Sequence, residues 1–167
     1  MGTPQDHRQQ LIDQASVLIQ ARNPGATITP LKEYVDAIYD DVYARVLLGR
    51  AYREDGQLAS AIYSLQESLR FASQETNIRI IRDQINWLIG LHIQQSQDNN
   101  RPEDSIKLLE DLVQAPPYTP GYYIRLARLY ENLQRFDEAL RTLYYVQYDV
   151  DVGPQARTMI RDIAARG

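Results

Sequence analysis

The stretch Leu126-Ala127-Arg128-Leu129-Tyr130-Glu131-Asn132-Leu133-Gln134-Arg135-Phe136-Asp137-Glu138-Ala139-Leu140-Arg141-Thr142-Leu143 decides the fold. Its apolar residues recur at helical spacing on either side of a short polar break, so it reads as two helices folded back on each other. Asp137 and Glu138 fall in the first turn of the second helix, where the helix dipole favours acids, and Asp137 precedes Arg141 by four residues, a stabilising spacing. Ala127 in the middle of the first helix and Ala139 near the start of the second carry almost no side chain. They face each other in such a hairpin and let the two backbones approach closely.

The pattern occurs twice more. Leu48-Gly49-Arg50-Ala51-Tyr52 and Ile89-Gly90-Leu91-His92-Ile93 match Leu126–Tyr130, while Ala61-Ile62 with Leu65 and Ser105-Ile106 with Leu109 match Ala139-Leu140 with Leu143. Gly49 is thereby expected to face Ala61, and Gly90 to face Ser105. A glycine inside a helix costs about 1 kcal/mol in propensity, so both glycines call for a packing reason.

These motifs resemble the tetratricopeptide repeat, whose pattern has a small residue and then an aromatic in the first helix, and a small residue followed by a large apolar one in the second. The family period is about 34 residues. Ser105 to Ala139 is 34 residues, but Ala61 to Ser105 is 44. Roughly three of the ten extra residues are expected in the Gln97–Arg101 loop and the rest ahead of Gly90. Asp55-Gly56 fits the family's tight turn and Pro117 its closing proline. Ser73 stands where proline is usual, Gln134 where glycine is usual, and Ile93 where tyrosine is usual. The resemblance implies an all-α, right-handed superhelical array of antiparallel helix pairs with about eight helices. Three such pairs are expected at 42–73, 76–117 and 119–152, after a degenerate leading pair at 1–41. Residues 153–167 are then either a capping helix or the start of a further repeat.

Outside the decisive stretch, proline and glycine punctuate the chain. Thr3-Pro4, Thr29-Pro30 and Thr119-Pro120 read as helix starts, with the threonine hydroxyl capping free N–H groups and proline in the first turn. Asn23-Pro24-Gly25 ends the first helix. The helix from Pro30 either breaks at Asp40-Asp41 or bends and runs on to residue 54; the two acids favour a break. Further helices are expected over 42–54, 57–72, 76–96, 102–114, 120–132, 136–148 and 154–165, and no run alternates as a strand does.

Composition narrows the function. The 167 residues carry a net charge of −4, which disfavours a nucleic-acid binder dependent on a basic face. With no cysteine, thiolate chemistry and disulfides are excluded. There is no Walker loop, no dinucleotide fingerprint and no apolar run of the ~20 residues that span a bilayer. His7 and His92 are too few for a metal cluster. No cofactor is expected, and the chain reads as a binding module rather than an enzyme. The polar start after Met1-Gly2 and the end at Gly167 read as those of a soluble piece of a longer protein, cytoplasmic or periplasmic. Oligomeric state is left open.

In the family the first helices line the inside of the superhelix, and partners usually lie there. The resemblance therefore implies a groove carrying Tyr43, Val46, Leu47, Arg50 and Arg53, then Gln84, Trp87, Leu88, Leu91 and Gln94, then Ile124, Arg125, Arg128 and Glu131. Trp87 and Leu91 are one turn apart and form an apolar anchor, and the arginines are suited to gripping carboxylates. The expected partner is a protein or peptide with a bulky apolar residue and nearby acids. The competing reading buries Trp87 between repeats and pairs the arginines with local acids such as Glu54 and Glu131. The chain has only two lysines, Lys32 and Lys107, so the lysine-and-asparagine clamp by which some relatives hold a peptide C-terminus is not reproduced. An accessory domain positioning the substrate of an enzyme is the second reading, and an arginine-lined nucleic-acid groove the third.

Overall fold

The computed structural model describes residues 4–166, so the caps and ends expected at Met1, Gly2, Thr3 and Gly167 lie outside the described residues. Among the described residues there are nine helices and no strand: α1 (Pro4–Gln20), α2 (Gly25–Ala37), α3 (Val42–Glu54), α4 (Leu58–Leu69), α5 (Glu75–Asp98), α6 (Pro102–Gln114), α7 (Gly121–Asn132), α8 (Phe136–Tyr144) and α9 (Gly153–Ala164). No helix among them is long and apolar enough to cross a membrane. The chain divides into two compact units, Met1–Gln95 and Ser96–Gly167.

In the first unit α1 packs on α2, α2 on α3, and α3 on α4. Their apolar stripes meet in a core containing Ile12, Ala15, Ile19, Leu31, Val35, Ala44, Leu48 and Ala51. Asp41 explains why the chain breaks between α2 and α3. Its carboxylate caps α3 by accepting from the Ala44 N–H at 3.0 Å, and it also accepts from the Tyr34 hydroxyl and the Arg8 guanidinium. Burial alone raises the Asp41 pKa, but the hydrogen bonds from Arg8, Ala44 and Tyr34 together with the Arg8 charge outweigh it and hold the carboxyl below its ordinary value.

In the second unit α6 packs on α7, α7 on α8, and α8 on α9. Leu109, Leu112, Tyr122, Ala127, Ala139, Leu143 and Ala156 are buried there. Arg135 ties the start of α6 to the start of α8, donating to Glu103 at 2.9 Å and to Glu138 at 2.9 Å. Glu103 is therefore bonded across helices rather than to Lys107 on its own helix.

The repeat is clearest at the turns. Arg22, Gly56, Asn100 and Gln134 all have positive φ, at 58°, 79°, 55° and 59°. Each stands two residues past a helix end, and they are spaced by 34, 44 and 34 residues. At each turn the left-handed residue's N–H bonds three residues back, and the next N–H reaches five residues back: Gly56 to Arg53 and Gln57 to Tyr52, then Asn100 to Gln97 and Arg101 to Ser96, and likewise at the other two. This closes the helix end by satisfying its last carbonyls. Residues 4–41, weak in sequence pattern, thus form a hairpin of the same geometry.

Counting from these turns corrects three expectations. The Asn100 turn has the same length as those at Gly56 and Gln134, so it takes none of the ten extra residues; they lie in the front of α5, which has 24 residues against 12 in α7. Seven residues before each turn residue stand Ala15, Gly49, Ile93 and Ala127, so Gly90 is not the equivalent of Gly49. Gly90 is exposed, with no atom beyond its chain neighbours and the local backbone of its own helix within 4 Å of where its Cβ would lie. Ser105, buried as expected, meets Ser96 hydroxyl to hydroxyl at 2.5 Å. Ser96 takes the place that Tyr52 and Tyr130 occupy in their helices.

Two helix starts also differ. α2 begins at Gly25, and Pro30 lies inside it. Thr27 accounts for this, because its N–H and hydroxyl both donate to the Pro24 carbonyl, at 2.9 and 2.8 Å, and close the first turn ahead of Pro30. Pro30 then forgoes one helical hydrogen bond. At Thr119 the hydroxyl donates to the Pro117 carbonyl at 3.1 Å instead of capping α7. α8 stops at Tyr144, four residues short of the expected end.

Candidate functional site

The first unit holds a groove between α3 and α5. A cavity of about 210 Å³ is lined by Tyr43, Val46, Leu47, Gly49, Arg50 and Arg53 of α3, Leu65 of α4, and Gln84, Trp87 and Leu88 of α5. Gly49 opens its floor, because the absent side chain lets Leu65 come within 3.0 Å of the position of a Cβ. The floor is apolar: Leu47, Leu65 and Leu88 are buried. Above it, Tyr43 and Trp87 are 55% and 54% exposed. Of the two readings of Trp87, burial does not hold.

The arginines divide. Arg53 places its guanidinium 5.9 Å from the Trp87 ring centroid, a cation–π contact, and is also bonded to neighbouring Glu54. Arg50 is exposed and makes no hydrogen bond or ion pair among the described residues. The two arginines are the only charged groups in the lining, within a chain of net charge −4. Leu91 is exposed one turn beyond Trp87 on α5, and Gln94 is exposed beyond it; neither lines the cavity. Arg125 and Arg128 belong to the second unit, on α7. Burial pulls the Arg125 guanidinium below its ordinary pKa, and the charge of Arg128 adds to this. Glu131, expected as a local acid for the groove arginines, pairs with Arg166 at 2.7 Å.

The repeat model for the tetratricopeptide repeat matches residues 12–76 and 97–149, most of the chain. The chain belongs to the tetratricopeptide repeat family. The first matched region begins inside α1, in keeping with the turn at Arg22. Among solved structures, the one titled MamA RS-1 ArsTM double mutant is 13% identical with a TM-score of 0.45, over 95% of this chain and 94% of that one. A crystal structure of MamA is 15% identical with a TM-score of 0.39, over 89% and 86%. No curated protein matches in sequence. At those scores the assignment rests on the repeat match, and tetratricopeptide arrays are in general interaction scaffolds.

One surface escaped the sequence reading. In the second unit Tyr118, Tyr123 and Tyr145 stand in file, with ring centroids 6.2 and 6.1 Å apart. Tyr145 and Tyr148 are more than three-quarters exposed. The cluster Tyr144-Tyr145-Val146-Gln147-Tyr148 was the available signal, but the expected helix ran on to residue 148, past the end of α8 at Tyr144. Tyr130 is held differently: burial, then its 2.6 Å hydrogen bond to Glu110, pushes its hydroxyl well above the usual tyrosine range.

Proposed function

We propose that this chain is a protein-interaction scaffold that holds a segment of its partner in the α3–α5 groove, with Trp87 as the apolar anchor and Arg50 as the carboxylate contact. The observation that carries this reading is the exposure of Trp87 over a buried leucine floor. A large aromatic ring half in water beside a preformed apolar cavity gains most when a partner side chain covers it. Arg50 stands unpaired at the same groove, in a lining that holds no carboxylate. Its guanidinium is suited to paired hydrogen bonds with a carboxylate. Leu91 and Gln94 extend the same helix beyond the cavity, and Arg125 and Arg128 are proposed as partner contacts on the second unit by itself.

The test is selection of random decapeptides displayed on phage against the whole chain, followed by titration of the enriched peptides. Trp87→Ala should abolish binding with little loss of thermal stability. Arg50→Glu should weaken it in a salt-sensitive way, because exposed charge pairs are screened above ~0.15 M ionic strength. Peptides that bind both variants as tightly as the parent refute the site.

A further inference from the structure

The extra turns at the front of α5 do more than lengthen a helix. They carry Asn77, Ile80 and Ile81, which with Val42, Tyr43 and Val46 of α3 line a second cavity of about 220 Å³. It shares Tyr43, Val46 and Gln84 with the first cavity, so the two adjoin along α3. The second is the more apolar of the two and has no charged residue in its lining. Ile80 is 47% exposed at its rim, unusual for an isoleucine with a buried neighbour, Ile81, at hand. The groove thus runs from an apolar end at Val42 and Ile80 to an arginine end at Arg50 and Arg53.

We infer that the additional turns of α5 build an apolar subsite that fixes the register of the bound segment by holding an aliphatic residue about 11 Å from an acidic one, which is four positions away in an extended segment. This deepens the reading of the groove and rests on it. The spacing follows from helix rise. The mid-points of Val42–Val46 and Arg50–Arg53 lie about 11 Å apart along α3 at ~1.5 Å per residue. An extended chain advances ~3.3 Å per residue and points alternate side chains to one face, so positions two apart span ~7 Å and positions four apart ~13 Å. Four is the same-face spacing that reaches both ends. The acid is required by charge: the lining offers two guanidiniums and no carboxylate.

The test uses the full chain and synthetic, end-blocked decapeptides of serine and glycine with one leucine and one glutamate. The separation between the two is varied from one to eight in both orders. Binding is read by fluorescence polarisation. The inference predicts tightest binding at a separation of four in one of the two orders. Ile80→Asp should lower that affinity at least tenfold and flatten the dependence on separation, with an unchanged melting curve since the side chain is at the rim. Ile80→Val should retain the dependence. A best separation of seven points to a helical segment and overturns the extended occupant. Binding that depends on glutamate and Trp87 but ignores both separation and Ile80→Asp overturns the subsite while leaving the groove standing. Binding unaffected by Trp87→Ala overturns both.

Discussion

Gly49 and Gly90 are both mid-helix glycines, and the structure gives opposite consequences for the same change, Gly→Ala. In each helix the new methyl contributes about 1 kcal/mol through propensity. At Gly90 nothing opposes it, as no atom beyond its chain neighbours and the local backbone of its own helix lies within 4 Å of the new Cβ. Gly90→Ala should therefore stabilise by about 0.5–1 kcal/mol, a rise of ~1–4 °C for a chain of this size. At Gly49 the methyl meets Leu65 Cγ at 3.0 Å and Cδ2 at 3.2 Å, with the Ala61 carbonyl oxygen at 3.4 Å. Leu65 is buried and cannot retreat freely. Overpacking of this kind costs about 1–3 kcal/mol, which offsets or exceeds the propensity gain. Gly49→Ala should fall below Gly90→Ala by about 1–3 kcal/mol, and Gly49→Leu lower still. Urea denaturation by circular dichroism measures all three. Equal stabilisation by both alanines would show that close approach at Gly49 is not what keeps glycine there.

Further outcomes follow from other contacts. Asn100→Gly and Gln134→Gly should each stabilise by about 0.5–1 kcal/mol, since the backbone at both is held in the left-handed region that glycine adopts without cost; the same urea experiment reads them. Asp41→Asn should destabilise by about 1–3 kcal/mol at neutral pH through its bonds to Arg8, Ala44 and Tyr34. Because the folded Asp41 pKa is held below its unfolded value, this contribution is present above about pH 4 and is lost as pH falls towards the folded pKa. The parent and Asp41→Asn should therefore converge in melting temperature as the pH is lowered below about 4, and a constant gap would exclude ionised Asp41 as the source. Deleting residues 154–167 uncovers the surface on which Ala156 and Ile163 are buried and should cause aggregation; a soluble truncation of equal stability would show α9 to be dispensable.

The hairpins were legible because their packing rule is local: Ala61, Ser105 and Ala139 are each fully buried, three residues into their helices. The turn rule was hidden. Gly56 announces a left-handed residue, but Arg22, Asn100 and Gln134 adopt the same conformation without glycine, and only the backbone shows it. Gly90 misled for the same reason. It sits in a convincing apolar pattern, and with the Asn100 turn unseen, the extra residues were partly assigned to the loop. Of the site, Tyr43, Leu47, Arg50, Arg53 and Trp87 were readable as one side of parallel first helices and do line one cavity. The subsite at Val42, Ile80 and Ile81 was not, because it depends on where α5 begins. The tyrosine file at 118, 123 and 145 depends on the early end of α8.

The chain has one tryptophan, at the centre of the proposed groove, so its fluorescence tests the central claim most directly. Free protein should show red-shifted emission that acrylamide quenches readily, as befits a ring 54% exposed. Saturation with a selected peptide should shift the emission to the blue and cut the quenching constant at least twofold. Emission and quenching unchanged at saturation would place the bound segment elsewhere and contradict the groove as the binding site.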